Sequence, residues 1–343
     1  MYAAKNGNVA IVKALLATCQ VDINKRDSDG WTPLHHAANS DIDGVNGVID
    51  TLLGIRQVEV DAKDNQLRTP LSVAAGQGNW ACMQMLMNLG QAEINTQDKG
   101  GRTPLHWVAW ALLPNVETLE VLLATGRADV DAKDKTHRTP LSYAAECGKI
   151  SIMKALLDTG RAEINTQDER GWAPLHYAIR HAAEALEGGA GPLEALLATG
   201  RADVNIKDKA HRTPMSYAAE AGHVGALKAL LATERVDMRT QDKRGWMPLH
   251  YALKAPVWRG VEGLRVLLAT GQVDVNAKTE EHRTALSYAA EMGRIDVVKT
   301  LLVTGWVVID VADKAGRIPL AYALSRGHGE VVELLRRKYN QAT

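Results

Sequence analysis

A row of nine side chains stands one place ahead of a recurring tetrapeptide. It reads Trp31, Arg68, Arg102, Arg138, Trp172, Arg212, Trp246, Arg283 and Arg317. Indole faces attract cations, and guanidinium groups grip carboxylates through paired hydrogen bonds. Both residue types are enriched where binding energy concentrates. The row therefore has the chemistry of recognition, suited to an aromatic, carboxylate-bearing or otherwise anionic ligand. Its three Trp suit packing on a neighbouring turn equally well, and both readings stand.

A second row lies at the ends of the segments that follow, and reads Asn39, Gly76, Trp110, Glu146, Arg180, Glu220, Lys254, Glu291 and Ser325. From Glu146 to Glu291 the charge alternates. Stacked helices about 8–10 Å apart would let these charges pair as a ladder, each exposed pair contributing roughly 0–1 kcal/mol. The functional alternative is a set of carboxylates and cations poised for a polar ligand. His181, Cys147 and Met292 share the region, but no His/Asp partner is set by spacing for Cys147. No Gly-rich phosphate loop, metal-ligand cluster or nucleophile elbow occurs, so neither cofactor nor metal is expected.

The elements that must position these rows repeat along the chain. The tetrapeptide starts at Thr32, Thr69, Thr103, Thr139, Ala173, Thr213, Met247, Thr284 and Ile318, with steps of 37, 34, 36, 34, 40, 34, 37 and 34 residues. Each Thr can cap a helix whose first turn accepts the following Pro. In Leu141-Ser-Tyr-Ala-Ala-Glu-Cys-Gly148, small residues allow close helix approach and the glycine ends the helix. A second helix follows, with Ile152, Met153, Leu156 and Leu157 at helical spacing. Thr159 to Asp168 then reads as an extended loop into a turn. Helices this short cannot bury an apolar face alone, so successive units must stack as a solenoid. The expectation is one array over 1–343, with a partial repeat at 1–26 and full repeats starting near 27, 64, 98, 134, 168, 208, 242, 279 and 313.

Charge and composition exclude several classes. Forty Lys+Arg balance forty Asp+Glu, which removes the long-range attraction for nucleic acid and for anionic membrane. No apolar stretch is long enough to span a bilayer, and the first residues lack the plan of a secretory signal. Cys19, Cys82 and Cys147 are sparse and odd in number, as in a cytosolic or nuclear protein with reduced thiols.

The unit D-x-x-G-x-T-P-L-H-x-A-A-x-x-G, followed by a second helix, L-L and D-V-N, resembles the ankyrin repeat. The dialect, as in Leu122-Leu-Ala-Thr-Gly-Arg-Ala-Asp-Val-Asp131, is similar to arrays from filamentous fungi. The resemblance implies an all-α solenoid of helix-turn-helix units. It places the turn tips and first helices on a concave face, with the Trp/Arg row exposed there. It also implies structural hydrogen bonds between units for His35, His106, His176 and His250. His137, His211 and His282 replace the turn glycine, where φ is normally positive. Leu67 tolerates that conformation poorly, so those turns are expected to differ in geometry. Tyr143, Tyr177, Tyr217, Tyr251, Tyr288 and Tyr322, five places after the first row, are expected to pack between repeats with wet hydroxyls.

Steps beginning at the Pro-Leu-His units are longer than 34 residues by 3, 2, 6 and 3, with the extra residues between the two helices. A two-repeat cassette copied in tandem accounts for this alternation. The largest insertion, Arg180 to Pro192, would lengthen a first helix and deepen the groove at the fifth full unit. There Arg180, His181 and Glu184 would raise one wall, with Trp172, Trp246, Arg138 and Arg212 around it. Replacing Trp172 or Arg212 is expected to weaken binding at little cost to folding.

Two functions fit. One is a scaffold presenting the concave groove to a protein or peptide, with a small aromatic or anionic molecule near Trp172 and Arg212 as another occupant. The other is an unorthodox enzyme of fungal small-molecule biosynthesis, an isomerase, cyclase or dehydratase.

Overall fold

The structure, a computed structural model, describes residues 1–18, 20–111, 116–184, 189–259 and 261–342. Among these residues there is no strand, and twenty α-helices with one 3-10 turn carry the regular structure. No helix among them is long and apolar enough to cross a membrane. The chain divides into two compact units, Met1–Glu169 and Arg170–Thr343.

Each unit is a run of helix pairs. First helices in the N-terminal unit include Pro33–Ala38, Pro70–Gln77, Pro104–Trp110 and Pro140–Glu146. Those of the C-terminal unit are Pro174–Glu184, Pro214–Ala221, Pro248–Ala252, Ala285–Glu291 and Pro319–Ser325. Fully buried alanines such as Ala74, Ala75, Ala218 and Ala219 let neighbouring first helices approach closely. Second helices bury Met83, Leu86, Ile152, Leu156, Leu227 and Leu230, each stabilising by roughly 1.5–3 kcal/mol.

Two kinds of cap alternate along the units. In the Pro-Leu-Ser repeats the Thr hydroxyl accepts from the Ser backbone, as in Ser72 N–H to Thr69 Oγ1 at 3.3 Å. In the Pro-Leu-His repeats the imidazole Nδ1 accepts the cap residue's own N–H, at 3.1–3.2 Å from Thr32, Thr103, Ala173 and Met247. That side chain does the capping, so Ala173 and Met247 can replace Thr without breaking the helix start. The opposite ring nitrogen, Nε2, reaches a carbonyl further along the chain: His35 to Arg68 and His106 to Arg138 in the following repeat at 3.0 Å, and His250 to Ala277 at the end of its own repeat at 3.2 Å.

The turns between repeats are held by an aspartate. Asp64 Oδ1 accepts the backbone N–H of Gln66 and Arg68, both at 2.8 Å. Asp98, Asp134, Asp208, Asp242 and Asp313 repeat this pattern two and four residues ahead. One backbone bond then joins each turn to the one before it, such as Lys99 N–H to Gln66 O at 2.8 Å and Lys243 N–H to Ala210 O at 3.1 Å.

The turns at Leu67, His137, His211 and His282 do not differ in geometry from the glycine turns. Their φ values are 60°, 64°, 64° and 59°, in the same left-handed region as Gly101 and Gly171. The backbone bonds within the turn and to the neighbouring turn, with the aspartate clamp at Leu67, His137 and His211, impose one backbone path whatever residue occupies it. In the glycine turns even a Cβ is excluded, since at Gly171 it would lie 2.6 Å from the Lys209 nitrogen. Of the thiols, Cys19 lies outside the described residues. Cys82 is buried, which pushes its pKa up to about 12, and Cys147 is half-buried.

Two predictions follow from this frame. Leu67→Gly should raise the urea midpoint. Relief of about 1–2 kcal/mol of left-handed strain outweighs the roughly 0.5–1 kcal/mol of chain entropy that glycine loses on folding. A midpoint at or below wild type would contradict the strain.

The second concerns acid. Burial lowers the His250 pKa from 6.5 to about 4, overcoming its bond to the Ala277 carbonyl. Between those values the unfolded chain takes up a proton and the folded chain does not. Stability should therefore fall as the pH drops from 6.5 towards 4, by up to about 3 kcal/mol from this residue. His250→Gln keeps a capping acceptor without titrating there, so it should flatten the pH dependence of the melting temperature. An unchanged slope in that variant would exclude His250 as its source.

Candidate functional site

In the N-terminal unit the recognition row is half-buried and paired. The Trp31 indole stacks on His35 with centroids 6.0 Å apart and meets His36 edge-on at 5.2 Å. Its N–H donates to Asp64 Oδ2 of the next repeat at 3.1 Å. Arg68 Nε donates to the same oxygen at 2.8 Å, and Arg102 Nε repeats the contact with Asp98 at 3.0 Å. The Arg102 guanidinium lies 4.2 Å over Trp107 and 5.2 Å from Trp110. Trp110, 45% exposed, stacks on Trp107 at 5.6 Å. Arg138 covers the Tyr143 ring at 3.9 Å and pairs with Glu146.

In the C-terminal unit the same positions build a continuous column of rings and cations. Trp172 stacks on His176 at 5.9 Å and meets Tyr217 edge-on at 5.0 Å. Arg212 is sandwiched between Tyr217 at 3.9 Å and Tyr251 at 4.1 Å. Trp246 follows, 5.3 Å from Tyr251 and 4.8 Å from Tyr288, with Lys254 Nζ 4.6 Å over its ring. Arg283 then lies between Tyr288 at 3.9 Å and Tyr322 at 4.0 Å. Arg317 closes the column, 4.7 Å over Tyr322.

The row expected to be exposed is therefore largely its own partner. Trp246 and Arg283 are only 4% and 8% exposed, and of the nine only Arg317 is open to solvent. From Arg138 onwards the cause is the Tyr five places on. Its ring fills the space between consecutive row residues, so Arg212 and Arg283 each find a face on both sides.

The tyrosine hydroxyls are not wet either. Tyr143 and Tyr217 donate to Asp134 and Asp208 Oδ2 at 2.7 and 2.6 Å, Tyr251 to Asp242 at 2.5 Å, and Tyr322 to Asp313. Burial and then this bond raise the tyrosine pKa values, that of Tyr322 to about 12. Burial of Asp313 opposes its ionisation, but the bonds from Tyr322, Arg317 and Ala315 prevail and hold it at about 2. These phenols are fixed hydrogen-bond donors near neutral pH, not proton-transfer groups.

The second row joins the first. Arg138, Arg212 and Arg283 pair with Glu146, Glu220 and Glu291 eight residues on, within the same repeat. Of the expected ladder between repeats, Lys254 lies 3.8 Å from Glu220; Arg326, one place past the row, lies 2.9 Å from Glu291. Burial of Glu291 raises its pKa, but bonds from Arg326 and Arg283 outweigh this and lower it.

At the fifth full repeat, Pro174–Glu184 is the longest first helix among the described residues, with 11 residues. Arg180 lies 5.5 Å from the Trp172 ring and 3.8 Å from Glu184, and His181 is half-buried on the same helix. The rest of the expected insertion, residues 185–188 with Gly188, lies outside the described residues. A bond that the sequence did not disclose ends this helix. Arg259 Nη2 donates to the Ala183 carbonyl at 2.7 Å, from 76 residues further along. It passes beside Gly222, where an added Cβ would lie 3.4 Å from that of Arg259. Only the small residue at 222 hinted at it.

The column changes the expected effect of substitution. Arg212→Ala removes two ring contacts of about 0.5–2 kcal/mol each and should cost roughly 2 kcal/mol of stability or more. Arg212→Lys should recover little of it, since an ammonium cannot lie flat between two rings. Denaturation of Arg212→Ala within about 0.5 kcal/mol of wild type would remove the column from the account of stability.

The sequence pattern described as ankyrin repeats (3 copies) matches residues 1–64, 44–134, 109–189, 181–279 and 257–342. Alpha-latrotoxin-Lg1a of Latrodectus geometricus is 38% identical over 106 residues, which is 31% of this chain and 8% of that protein. Alpha-latrotoxin-Lt1a of Latrodectus tredecimguttatus is 36% identical over 106 residues, 31% of this chain and 7% of its own length. The chain thus matches less than a tenth of the length of these relatives, both from spiders. With the repeat pattern recognised from residue 1 to residue 342, and a cap, turn and helix pair recurring in both units, the chain belongs to the ankyrin-repeat family.

Proposed function

We propose that this chain is a binding scaffold that takes a protein or peptide partner on the face formed by its turns and first helices. Ankyrin repeats imply protein interaction, and one observation favours an acidic partner segment. Three successive turns of the C-terminal unit carry exposed Arg170, Lys209, His211, Lys243 and Arg244. Below them the Trp172-to-Arg317 column is internally satisfied, so it acts as a rigid floor. A partner meets the tips and the outward edges of Trp172, Arg180, Glu220 and Lys254 without prising the stack apart. A preordered surface of this kind loses little entropy on binding. In the N-terminal unit the exposed edge of Trp110, beside Arg102, Arg138 and Glu146, offers the corresponding contact.

Arg212 has both faces covered by tyrosine rings. An aromatic or anionic small molecule near Trp172 and Arg212 would therefore meet edges and not faces. No observation assigns a reaction to the enzymatic alternative.

The test is affinity capture with the full chain, comparing wild type with the triple variant Lys209→Glu, Lys243→Glu, Arg244→Glu. Proteins retained by wild type should be lost from the triple variant and released by salt, because rim charges act through screened electrostatics. A Trp306→Ala control, on the opposite side of its repeat, should retain them. Retention unaffected by the triple variant would remove the tips from the binding face.

A further inference from the structure

In each unit the second helices form an outer face that carries a trough, and the two troughs are opposite in charge. In the C-terminal unit, helices Glu262–Ala269 and Ile295–Val303 flank about 490 Å³. Its only charged lining residues are Arg265 and Lys299, set beside Leu268, Val303 and Trp306. Arg265 has a loose 3.7 Å contact with Glu262.

The apolar part of this trough departs from the other repeats. Val303-Thr-Gly-Trp306-Val-Val308 stands where they read Ala124-Thr-Gly-Arg127-Ala-Asp129 and Ala198-Thr-Gly-Arg201-Ala-Asp203. At the place of Trp306, Arg161 and Arg235 reach back to the Gly126 and Gly200 carbonyls at 3.3 and 3.1 Å. Trp306 is instead 67% exposed, with Val303 86% exposed beside it. Adjacent large apolar side chains left in water mark an interaction surface.

In the N-terminal unit, helices Trp80–Asn88 and Val116–Ala124 flank about 480 Å³. Its only charged lining residues are Glu117 and Glu120, beside Trp80, Met87 and Val121. Trp80, 45% exposed, replaces the β-branched residue that opens equivalent helices at Val9, Ile150, Val224 and Ile295. The two troughs match in size and each presents one open indole. Their charges are two cations against two carboxylates.

We propose that the chain associates head to tail, the Trp306 trough of one copy docking on the Trp80 trough of the next. Apolar contact between the two indoles and their valine and methionine neighbours supplies the attraction. Arg265 and Lys299 facing Glu117 and Glu120 fix the register and exclude like-with-like pairing. Two different surfaces meet, so the contact is heterologous, and each copy offers one basic and one acidic trough.

Sedimentation velocity of the full chain from about 1 to 100 μM spans the affinities such a patch can give. The average mass of wild type should rise with concentration above that of a monomer. The double variants Arg265→Glu, Lys299→Glu and Glu117→Lys, Glu120→Lys should each stay monomeric, and mixing them in equal amounts should restore association. Trp306→Ser, which leaves the charges alone, should weaken association at least tenfold. All these positions lie on the surface, and circular dichroism checks that each variant is folded. The proposal is overturned by a wild type that stays monomeric throughout, or by association that survives either charge reversal.

Discussion

A buried carboxylate at the start of each turn is the contact on which the rest depends. Asp64, Asp98, Asp134, Asp208, Asp242 and Asp313 are almost fully removed from water. Such a charge is tolerable only when hydrogen bonds replace its hydration. One oxygen takes two backbone N–H groups and so sets the turn. The other takes a side chain from the row or column: Trp31 and Arg68 on Asp64, Arg102 on Asp98, and a tyrosine on Asp134, Asp208, Asp242 and Asp313. The same atom group thus shapes the backbone and anchors the aromatic stack. Thr279 stands in this place in one repeat, where the Tyr288 hydroxyl meets it at 3.3 Å and has Glu281 3.5 Å away. The geometry survives, but with a neutral group and a longer bond.

The alternation of two repeat types has a physical basis beyond duplication. His-type repeats cap with imidazole, contact the next repeat through its other nitrogen at His35 and His106, and carry glycine in the following unit's approach path at Gly101, Gly171 and Gly245. Ser-type repeats cap with a hydroxyl and accept Leu67, His137, His211 or His282 in the same left-handed turn. Ala173 and Met247, which look like broken caps, occur only beside a histidine that takes over the bond. Ile318, in the last full repeat, has no such compensation and its helix starts without a side-chain cap.

Internal pairing also shapes how either unit can bind. Columns of Arg, Tyr and Trp whose faces are already covered give a stiff floor, and the variable chemistry is displaced to turn tips and helix ends. The outer face follows the opposite logic. There Trp80, Val303 and Trp306 are departures from the repeat whose side chains remain largely in water.

Helix starts, turn aspartates, capping residues and the two-repeat period were legible in the sequence. Each is decided by residues within about four places of one another, such as Thr139 with Ser142 or Asp208 with Arg212. The placement of Trp31, Arg138, Arg212 and Arg283 at one point of every repeat was legible for the same reason. Their exposure was not. Whether Arg212 faces solvent or lies between two tyrosines depends on Tyr251, 39 residues away, and on the distance at which consecutive first helices settle. Arg259 reaching Ala183 over Gly222 depends on two such distances at once. The sequence determined the repeat and the residue types that line it, because local hydrogen bonding fixes both. Which of those residues spend their faces on each other, and which keep them for a partner, was decided only when the repeats stacked, since contact between repeats is set by packing and carries no local sequence signal.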